Sequence, residues 1–477
     1  MINIKDIENK INCFVLASIM PIGYFAPIGE WLLLALLCFF SILRFIYQPY
    51  KVNNYNLVIF ILICLFLILS CYLSNYADRS FEVILPKLGI IFSIFFVLNI
   101  TAKNKIKNIH SIIGLSFLST SIIIFLDLSF NAGIRASLAS IIGDAPSSDS
   151  ATYSRGILVL TLLTPIVIAN YINKKKYLLA AILMILASII IIAGPNETAK
   201  VILGASLIST LIIYYFGPRA IIGFGIISII GIVFMPLIFI YSVPLSSHIN
   251  FTVEKIKPCT HSRVWQIKGI ITDRSYKIIF NDELQNNKNI MDKLKYFQSL
   301  KKNDPVPENI LKILYKENIM CLKKYKWQDT PVGGSIIHRL LVWEYVSNQV
   351  LEKPFLGYGI GTSRLIGQNI ILNIPNSNSE IKGGIPLHPH NNFLQIWLEL
   401  GLIGIILLTL LWLKALKFAY FVRNKSYIMG TGISISILNI FIVSNLSFGI
   451  FQAWWLSVIA LTLLLLIQNN EYNKDLK

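Results

Sequence analysis

Apolar residues along the chain fall into long runs that short polar stretches separate. Each run is about 20 residues long, which is enough to cross roughly 30 Å of hydrocarbon as an α-helix. We therefore predict an all-α protein with twelve transmembrane helices. The runs lie at 11–26, 29–46, 56–74, 81–100, 109–128, 155–172, 177–194, 199–216, 219–241, 391–413, 427–446 and 449–467.

Composition supports a polytopic integral membrane protein. Hydrophobic residues make up 55% of the 477 residues and charged residues 14%, whereas soluble proteins carry about 25% charged residues. Membrane lipid is thus the expected surroundings of the chain. The net charge of +18 does not indicate a nucleic-acid partner in such a chain. The loops in which the basic residues lie decide what this charge indicates.

Basic residues lie mainly in alternate short loops. Because cytoplasmic loops are enriched in Lys and Arg, this side is predicted to be cytoplasmic, as are both termini. The first run lacks a small-residue cleavage site and is expected to remain as a helix. The short loops on the other side contain little basic charge, with Arg79 in one and Arg135 in another. The cytoplasmic basic residues are Arg44, Lys51, Lys103, Lys105, Lys107, Lys174, Lys175, Lys176, Arg219, Lys414, Lys417, Arg423 and Lys425.

The topology divides the chain into four parts. One long loop lies outside the cytoplasm, and in it Cys259 and Cys321 form a disulfide only if that compartment is oxidising. A lysine- and asparagine-rich stretch and an amphipathic helix lie in this loop. The parts are 1–241 with spans one to nine, the loop 242–390 (stretch 264–330, helix 335–352), 391–467 with spans ten to twelve, and the tail 468–477.

The amphipathic helix has an apolar face of Leu340, Trp343, Val346 and Val350. Spacings of three and four residues place these side chains together. The face is suited to the outer membrane–water interface. Arg339 lies four residues before Trp343, so its guanidinium can stack on the indole.

A polar loop becomes an apolar helix at Leu387–Gly404. Asn391 or Asn392 can cap the helix, and Asn391, Gln395 and Glu399 then recur every four residues on one face. Ionisable groups at membrane depth are costly and often functional. The stripe, with His388 and His390 before it, is therefore a candidate site. The alternative is helix capping plus a buried polar contact.

This region resembles a known family. His390-Asn391, nine residues and then Gly401-x-x-Gly404 resemble the signature of O-antigen ligases, which share this region with O-antigen polymerases and bacterial protein O-oligosaccharyltransferases. The resemblance includes His338-Arg339-x-x-x-Trp343 and the stretch 354–359. We expect Gly401 and Gly404 to allow close helix packing, and the glycines of 357–361 to form a flexible turn. Stretch 264–330 is then an insertion.

The topology places cations and histidines on one side: Arg339 and His390 from the loop, Arg155 and Lys200 from helix starts. Fixed cations beside a helix N-terminus suit an anionic lipid headgroup. An arginine fork binds a diphosphate, and a histidine near neutral pH can take a proton from a hydroxyl. No carboxylate cluster lies on this side, so no metal or other cofactor is expected.

The resemblance implies a reaction. The family transfers a glycan from an undecaprenyl-diphosphate carrier at the periplasmic face of the inner membrane, without a metal. His390 matches its catalytic histidine and Arg339 its loop arginine. Either Arg155 or Lys200 is the second cation for the donor diphosphate. The supporting residues are His388, Asn391, Trp343, Gln395 and Glu399.

The acceptor stays open among three alternatives. Lipid A–core makes the protein a ligase, a second glycan makes it a polymerase, and a protein serine makes it an oligosaccharyltransferase. A transporter or flippase is the alternative from another class. It is disfavoured because the charges gather at one face, whereas transporters bind substrate near mid-membrane.

Overall fold

A computed structural model describes most of the membrane-associated chain. The Cys259–Cys321 pairing and the insertion 264–330, apart from Asp292, lie outside the described residues. The described residues are 4–47, 52–103, 106, 109–129, 134, 150–194, 196–240, 292, 332–368, 370–373, 380–382, 384–385 and 387–472.

The described part is helical apart from one short antiparallel strand pair and the connecting turns. Single-turn 3₁₀ helices cover Pro27–Gly29 and Thr101–Lys103. The helices are α1 Ile4–Phe25, α2 Glu30–Tyr47, α3 Asn54–Tyr72, α4 Ala77–Asn99, α5 Ile109–Ser129, α6 Ser150–Asn173, α7 Tyr177–Ala193, α8 Glu197–Phe216, α9 Pro218–Phe239, α10 Val332–Glu352, α11 Ser363–Ile366, α12 Asn392–Lys425, α13 Tyr427–Leu446 and α14 Ala453–Tyr472, and the strands are β1 Ile371–Asn373 and β2 Glu380–Lys382.

Each of the twelve predicted runs coincides with one of these helices. Among the described residues, nine helices are long and apolar enough to span a membrane, and Tyr177–Ala193 and Ala453–Asn469 are shorter apolar helices. The all-α polytopic architecture is therefore confirmed. The number twelve and the orientation in the membrane stay predictions.

Polar contacts show that neighbouring helices run in alternate directions. Arg44 near the end of α2 pairs with Glu8 near the start of α1, with 2.6 Å between Nη1 and Oε2. Ser41 Oγ, one turn before Arg44, forms a hydrogen bond with Thr101 Oγ1 just after α4. Gln468 near the end of α14 donates to the carbonyl of Thr101 over 3.2 Å, so the ends of α2, α4 and α14 lie where α1 starts. This alternation is what a multi-pass chain with short loops requires.

Helices α6 and α13 form the centre of the bundle. Their apolar stretches are buried over 72% and 67% of their length, and the two helices pack against each other. Large apolar side chains on outer helices are exposed instead, including Leu178, Tyr215 and Ile227. Such a surface matches a hydrocarbon environment, because exposure of these apolar side chains to water would be unfavourable.

Helix α12 is broken at Gly401, whose φ of 60° and ψ of −158° are non-helical. The chain at 354–359 fills the break. Leu402 N–H donates to the carbonyl of Pro354 over 2.8 Å, and Tyr358 N–H donates to the carbonyl of Leu398 over 2.9 Å. Backbone groups at membrane depth need such partners. Two predictions are corrected: Gly401 marks a helix break, and 354–359 pairs with α12.

The amphipathic helix α10 packs on protein. It contacts α9 and α12, and Val346 and Val350 on its apolar face are 0% and 1% exposed. Protein therefore covers this face, and the position of the helix at the membrane–water interface stays a prediction. The face is covered because α9 and the first half of α12 supply a matching apolar surface.

Candidate active site

The loop before α12 is held in place by three polar contacts. The side chain of Asn391 caps α12, since its Oδ1 accepts from the N–H groups of Phe393 and Leu394 at 3.0 Å each. The indole Nε1–H of Trp343 donates to the carbonyl of Pro389 over 2.8 Å. These contacts fix the middle and the C-terminal end of the short segment that carries His388 and His390.

The sequence predicts that the start of α12 helps to hold an anionic headgroup. Two of its N–H groups, those of Phe393 and Leu394, already donate to Asn391, which leaves fewer N–H groups for an anion. The binding of an anion at this end of the bundle therefore depends on side-chain cations.

His390 has a left-handed backbone, with φ of 56°. This conformation turns its backbone N–H toward the preceding histidine, and the N–H donates to Nδ1 of His388 over 3.1 Å. A non-glycine residue in this region is uncommon and often lies at a functional site. The strain is compensated here by that hydrogen bond.

The imidazole of His390 is oriented by α13. Its Nδ1 lies 2.8 Å from the backbone carbonyl oxygen of Ser447. A carbonyl only accepts, so Nδ1 carries the proton and Nε2 of the neutral ring keeps its lone pair. Burial lowers the pKa of His390 to about 4, the Ser447 carbonyl opposes this shift, and the charges of Arg339 and His338 add to it. The ring is therefore neutral at pH 7, and its Nε2 is unprotonated.

The other two histidines lie beside it. The ring of His388 is 4.5 Å from that of His390, and the ring of His338 is 6.5 Å away, centroid to centroid. Burial lowers the pKa of His388 to about 3, with a further decrease from His390. Burial and the neighbouring Arg339 also lower the pKa of His338. All three rings are thus neutral at pH 7.

Arg339 supplies fixed positive charge next to these rings. It lies near enough to His390 to lower that side chain's pKa. Among the described residues, no acidic side chain forms an ion pair with it. The predicted stacking on Trp343 is not observed, because the indole packs on Phe239 instead, with centroids 4.6 Å apart. The guanidinium is therefore left to bind another group.

Helices α6 and α8 begin at the same place. Ser447 donates from Oγ to Thr198 Oγ1 over 3.0 Å, and Asn196 at the N-cap of α8 donates to the carbonyl of Ser154 over 2.7 Å. Arg155 follows and lies 5.2 Å above the ring of Trp454. Through Ser447, these contacts connect His390 to the starts of α6 and α8. Each of these two helices carries one candidate for the second cation.

The two candidates for that second cation differ in their surroundings. Lys200 pairs with Glu197 on its own helix, with 2.9 Å between Nζ and Oε1. A lysine charge that an acid already offsets attracts an anion less. Arg155 lies above the indole face of Trp454. Both residues stay candidates for the second cation.

Gln395 and Glu399 form the predicted stripe and are fully engaged. Gln395 Nε2 donates to Glu399 Oε1 over 3.1 Å, and Gln395 Oε1 accepts from Ile450 N–H over 3.0 Å. Glu399 also accepts from Gly361 N–H over 2.6 Å and from the hydroxyl of Ser363. These two side chains tie α12 to the turn at 361–363 and to the turn after α13.

Sequence reasoning did not find Ser447, Thr198 or Asn196. Ser447 acts through its backbone carbonyl, which no side-chain pattern reveals. Asn196 does carry a signal, since an Asn before an apolar helix is a preferred N-cap. In the described part of the chain, no group of three or more His, Cys, Asp or Glu is placed to hold a metal ion.

Known proteins match part of the chain. The family model described as O-antigen ligase matches residues 182–409, a range that contains Lys200, Arg339, His388 and His390. A protein of Rickettsia conorii named "Putative polysaccharide ligase" is 42% identical over 126 residues, which are 26% of this chain and 29% of that protein. Its namesake from Rickettsia felis is 42% identical over 124 residues, 26% and 30% of the two chains.

The chain spans less than a third of the length of these curated relatives. No solved structure matches it. The family signature predicted around His390 falls inside the matched range. The predicted resemblance to the O-antigen ligase family is therefore confirmed, with residues 182–409 as the part of the chain that matches the family model.

Proposed function

We propose that the protein is a glycosyltransferase that moves a glycan from an undecaprenyl-diphosphate carrier to a hydroxyl of lipid A–core. The reaction takes place at the periplasmic face of the bacterial inner membrane and uses no metal. The O-antigen ligase domain and the relatives' names support a glycosyl-transferring membrane enzyme. The donor, the acceptor and the face belong to the proposal.

One observation carries it: the Nε2 lone pair of His390 beside Arg339 at one end of a membrane bundle. The Ser447 carbonyl holds the proton on Nδ1, and burial keeps the ring neutral. A neutral imidazole can take a proton from a sugar hydroxyl. The nearby guanidinium can bind two oxygens of a diphosphate.

The transfer step balances with these groups. The acceptor oxygen forms a bond to the anomeric carbon of the glycan, and its proton passes to Nε2 of His390. The bond between the anomeric carbon and the diphosphate oxygen breaks, and its electron pair stays on that oxygen. Arg339 stabilises the charge that gathers there, and the proton on His390 later leaves to water.

The site's place in the fold suits a lipid-borne donor. The His390 loop joins the start of α12, at one end of the bundle. A carrier anchored by an apolar tail brings its diphosphate to such an end. Basic residues in the alternate loops support the assignment of this end to the periplasm.

The test is transfer by the purified full-length protein in lipid nanodiscs. Undecaprenyl-diphosphate-linked glycan is supplied with lipid A–core, with a second copy of the glycan donor, or with a serine-rich acceptor protein, each without and with EDTA. We expect a covalent product with lipid A–core alone. Product with only another acceptor would contradict the ligase assignment, and no product with any acceptor would contradict glycosyl transfer. Loss of product in EDTA would contradict metal independence.

A further inference from the structure

We propose that His388 is a second catalytic residue, whose Nε2–H donates a hydrogen bond to the diphosphate oxygen that leaves the sugar. His390 then acts on the acceptor and His388 on the leaving group. The inference rests on the proposed function and names a new role within that site.

The backbone fixes the two rings in opposite tautomers. Nδ1 of His388 accepts from the His390 backbone N–H at 3.1 Å, so a neutral His388 ring must carry its proton on Nε2. Nδ1 of His390 donates to the Ser447 carbonyl at 2.8 Å, so its Nε2 carries none. Nε2 of His388 is therefore a hydrogen-bond donor, whereas Nε2 of His390 is a hydrogen-bond acceptor.

The two rings lie close enough to serve one reaction centre. Their centroids are 4.5 Å apart and their planes are inclined by 63°. Nε2 of His388 makes no hydrogen bond within the described part of the chain. The donor is thus available to a bound molecule.

Packing holds the His388 ring from behind. A Cβ built on Gly449 would lie 3.0 Å from Cγ of His388 and 3.0 Å from Oε1 of Gln395. The turn after α13 therefore touches the ring closely, and Gln395 fixes that turn through Ile450 N–H. A ring held this way is oriented before substrate arrives, which is what stabilisation of a transition state requires.

The chemistry asks for a donor that stays neutral. As the anomeric carbon–oxygen bond breaks, the electron pair collects on the diphosphate oxygen. The hydrogen bond from Nε2–H of His388 to that oxygen becomes shorter, and the proton stays on the nitrogen. The diphosphate therefore leaves as an anion. No further reactant is needed.

If His388 had a purely structural role, His388→Asn and His388→Gln would rank in the opposite order of activity. Asn places an amide oxygen near the position of Nδ1, so His388→Asn retains the acceptor for His390 N–H and loses the distal donor. Gln reaches the position of Nε2 with an N–H group, so His388→Gln retains the distal donor and loses the acceptor. His388→Phe loses both.

The experiment measures kcat and KM for glycan transfer by the four full-length proteins in nanodiscs, with thermal unfolding as the fold control. We expect kcat to fall about 10²-fold in His388→Asn, the loss typical of one oxyanion donor, and His388→Gln to exceed His388→Phe by at least about tenfold. A parental kcat in His388→Asn would overturn the inference. If His388→Asn does not fold, equal kcat in the Gln and Phe variants overturns it. An inactive parental protein would overturn the proposed function itself.

Discussion

Nδ1 of His390 lies 2.8 Å from the backbone carbonyl of Ser447, 57 positions along the chain. The contact joins the loop before α12 to the turn after α13. Because a backbone carbonyl cannot change its charge, it holds the tautomer of His390 over a wide pH range. The orientation of the proposed base thus depends on the packing of α12 against α13.

The first prediction concerns the break in α12. Gly401 has a positive φ, and a Cβ there would meet the backbone of Phe355 and Leu356. Gly401→Ala should therefore lower the free energy of unfolding by at least about 1–3 kcal/mol, measured by denaturation in detergent. Gly231 on α9 has open space around its Cβ position, so Gly231→Ala is the control. Equal stability of the two variants would contradict the description of the break.

The second prediction concerns Glu399. Its carboxyl group accepts from Gly361 N–H, Gln395 and Ser363 and is 0% exposed. Glu399→Ala leaves these donors unpaired, at a cost of about 1–3 kcal/mol for each buried group.

Glu82, on the surface in a pair with Arg79 at 2.7 Å, is the matched control. Such exposed pairs contribute about 0–1 kcal/mol, so Glu82→Ala should leave the melting temperature nearly unchanged. Both are read by thermal unfolding of the purified protein. A Glu399→Ala protein as stable as Glu82→Ala would show that the contacts to 361–363 contribute little.

The third prediction is the pH dependence of transfer. A base must be unprotonated, and burial together with Arg339 and His338 lowers the pKa of His390 to about 4 against the effect of the Ser447 carbonyl. Activity should be lost as pH falls through that value, so kcat/KM should stay level down to about pH 5.

Removal of the positive charge of Arg339 should move the acid limb of this pH dependence, the pH at which activity is lost on acidification. Arg339→Gln is expected to raise the pH of the acid limb in the residual activity, whereas Arg339→Lys keeps the charge and the limb's position. Both variants should be slower than the parental protein, since the fork is lost. A parental acid limb near 6.5, the ordinary histidine value, would contradict the buried environment of His390.

The fourth prediction concerns orientation in the membrane. Lys175 lies in the turn between α6 and α7, and Arg79 lies near the start of α4, at the opposite end of the bundle. In a cysteine-free background, Lys175→Cys should react with an impermeant maleimide only in permeabilised cells, and Arg79→Cys in intact spheroplasts. The reverse pattern would place the His390 loop in the cytoplasm.

Much of the fold could be predicted from the sequence. Apolar runs located the long described helices other than α10, and an amphipathic pattern located α10, because helix length and hydrophobicity are local properties. The His-Asn motif located His390, and the four-residue period placed Asn391, Gln395 and Glu399 on one face. The break at Gly401 could not be predicted, since it depends on pairing with residues 354–359.

The failures share a physical cause. The apolar face of α10 reads the same whether lipid or protein covers it, so only the packing against α9 and α12 decides. Ser447 contributes a carbonyl that every residue possesses. Each of these depends on tertiary contacts that no local pattern records.

The most direct test of the central claim is transfer by His390→Ala. The purified variant in nanodiscs, supplied with undecaprenyl-diphosphate-linked glycan and lipid A–core, is compared with the parental protein and with Arg79→Ala, a control at the same end of the bundle. We expect the rate to fall by roughly 10²–10⁴-fold in His390→Ala and to stay at the parental level in Arg79→Ala, with all three proteins folded. A folded His390→Ala that transfers glycan at the parental rate would contradict the account.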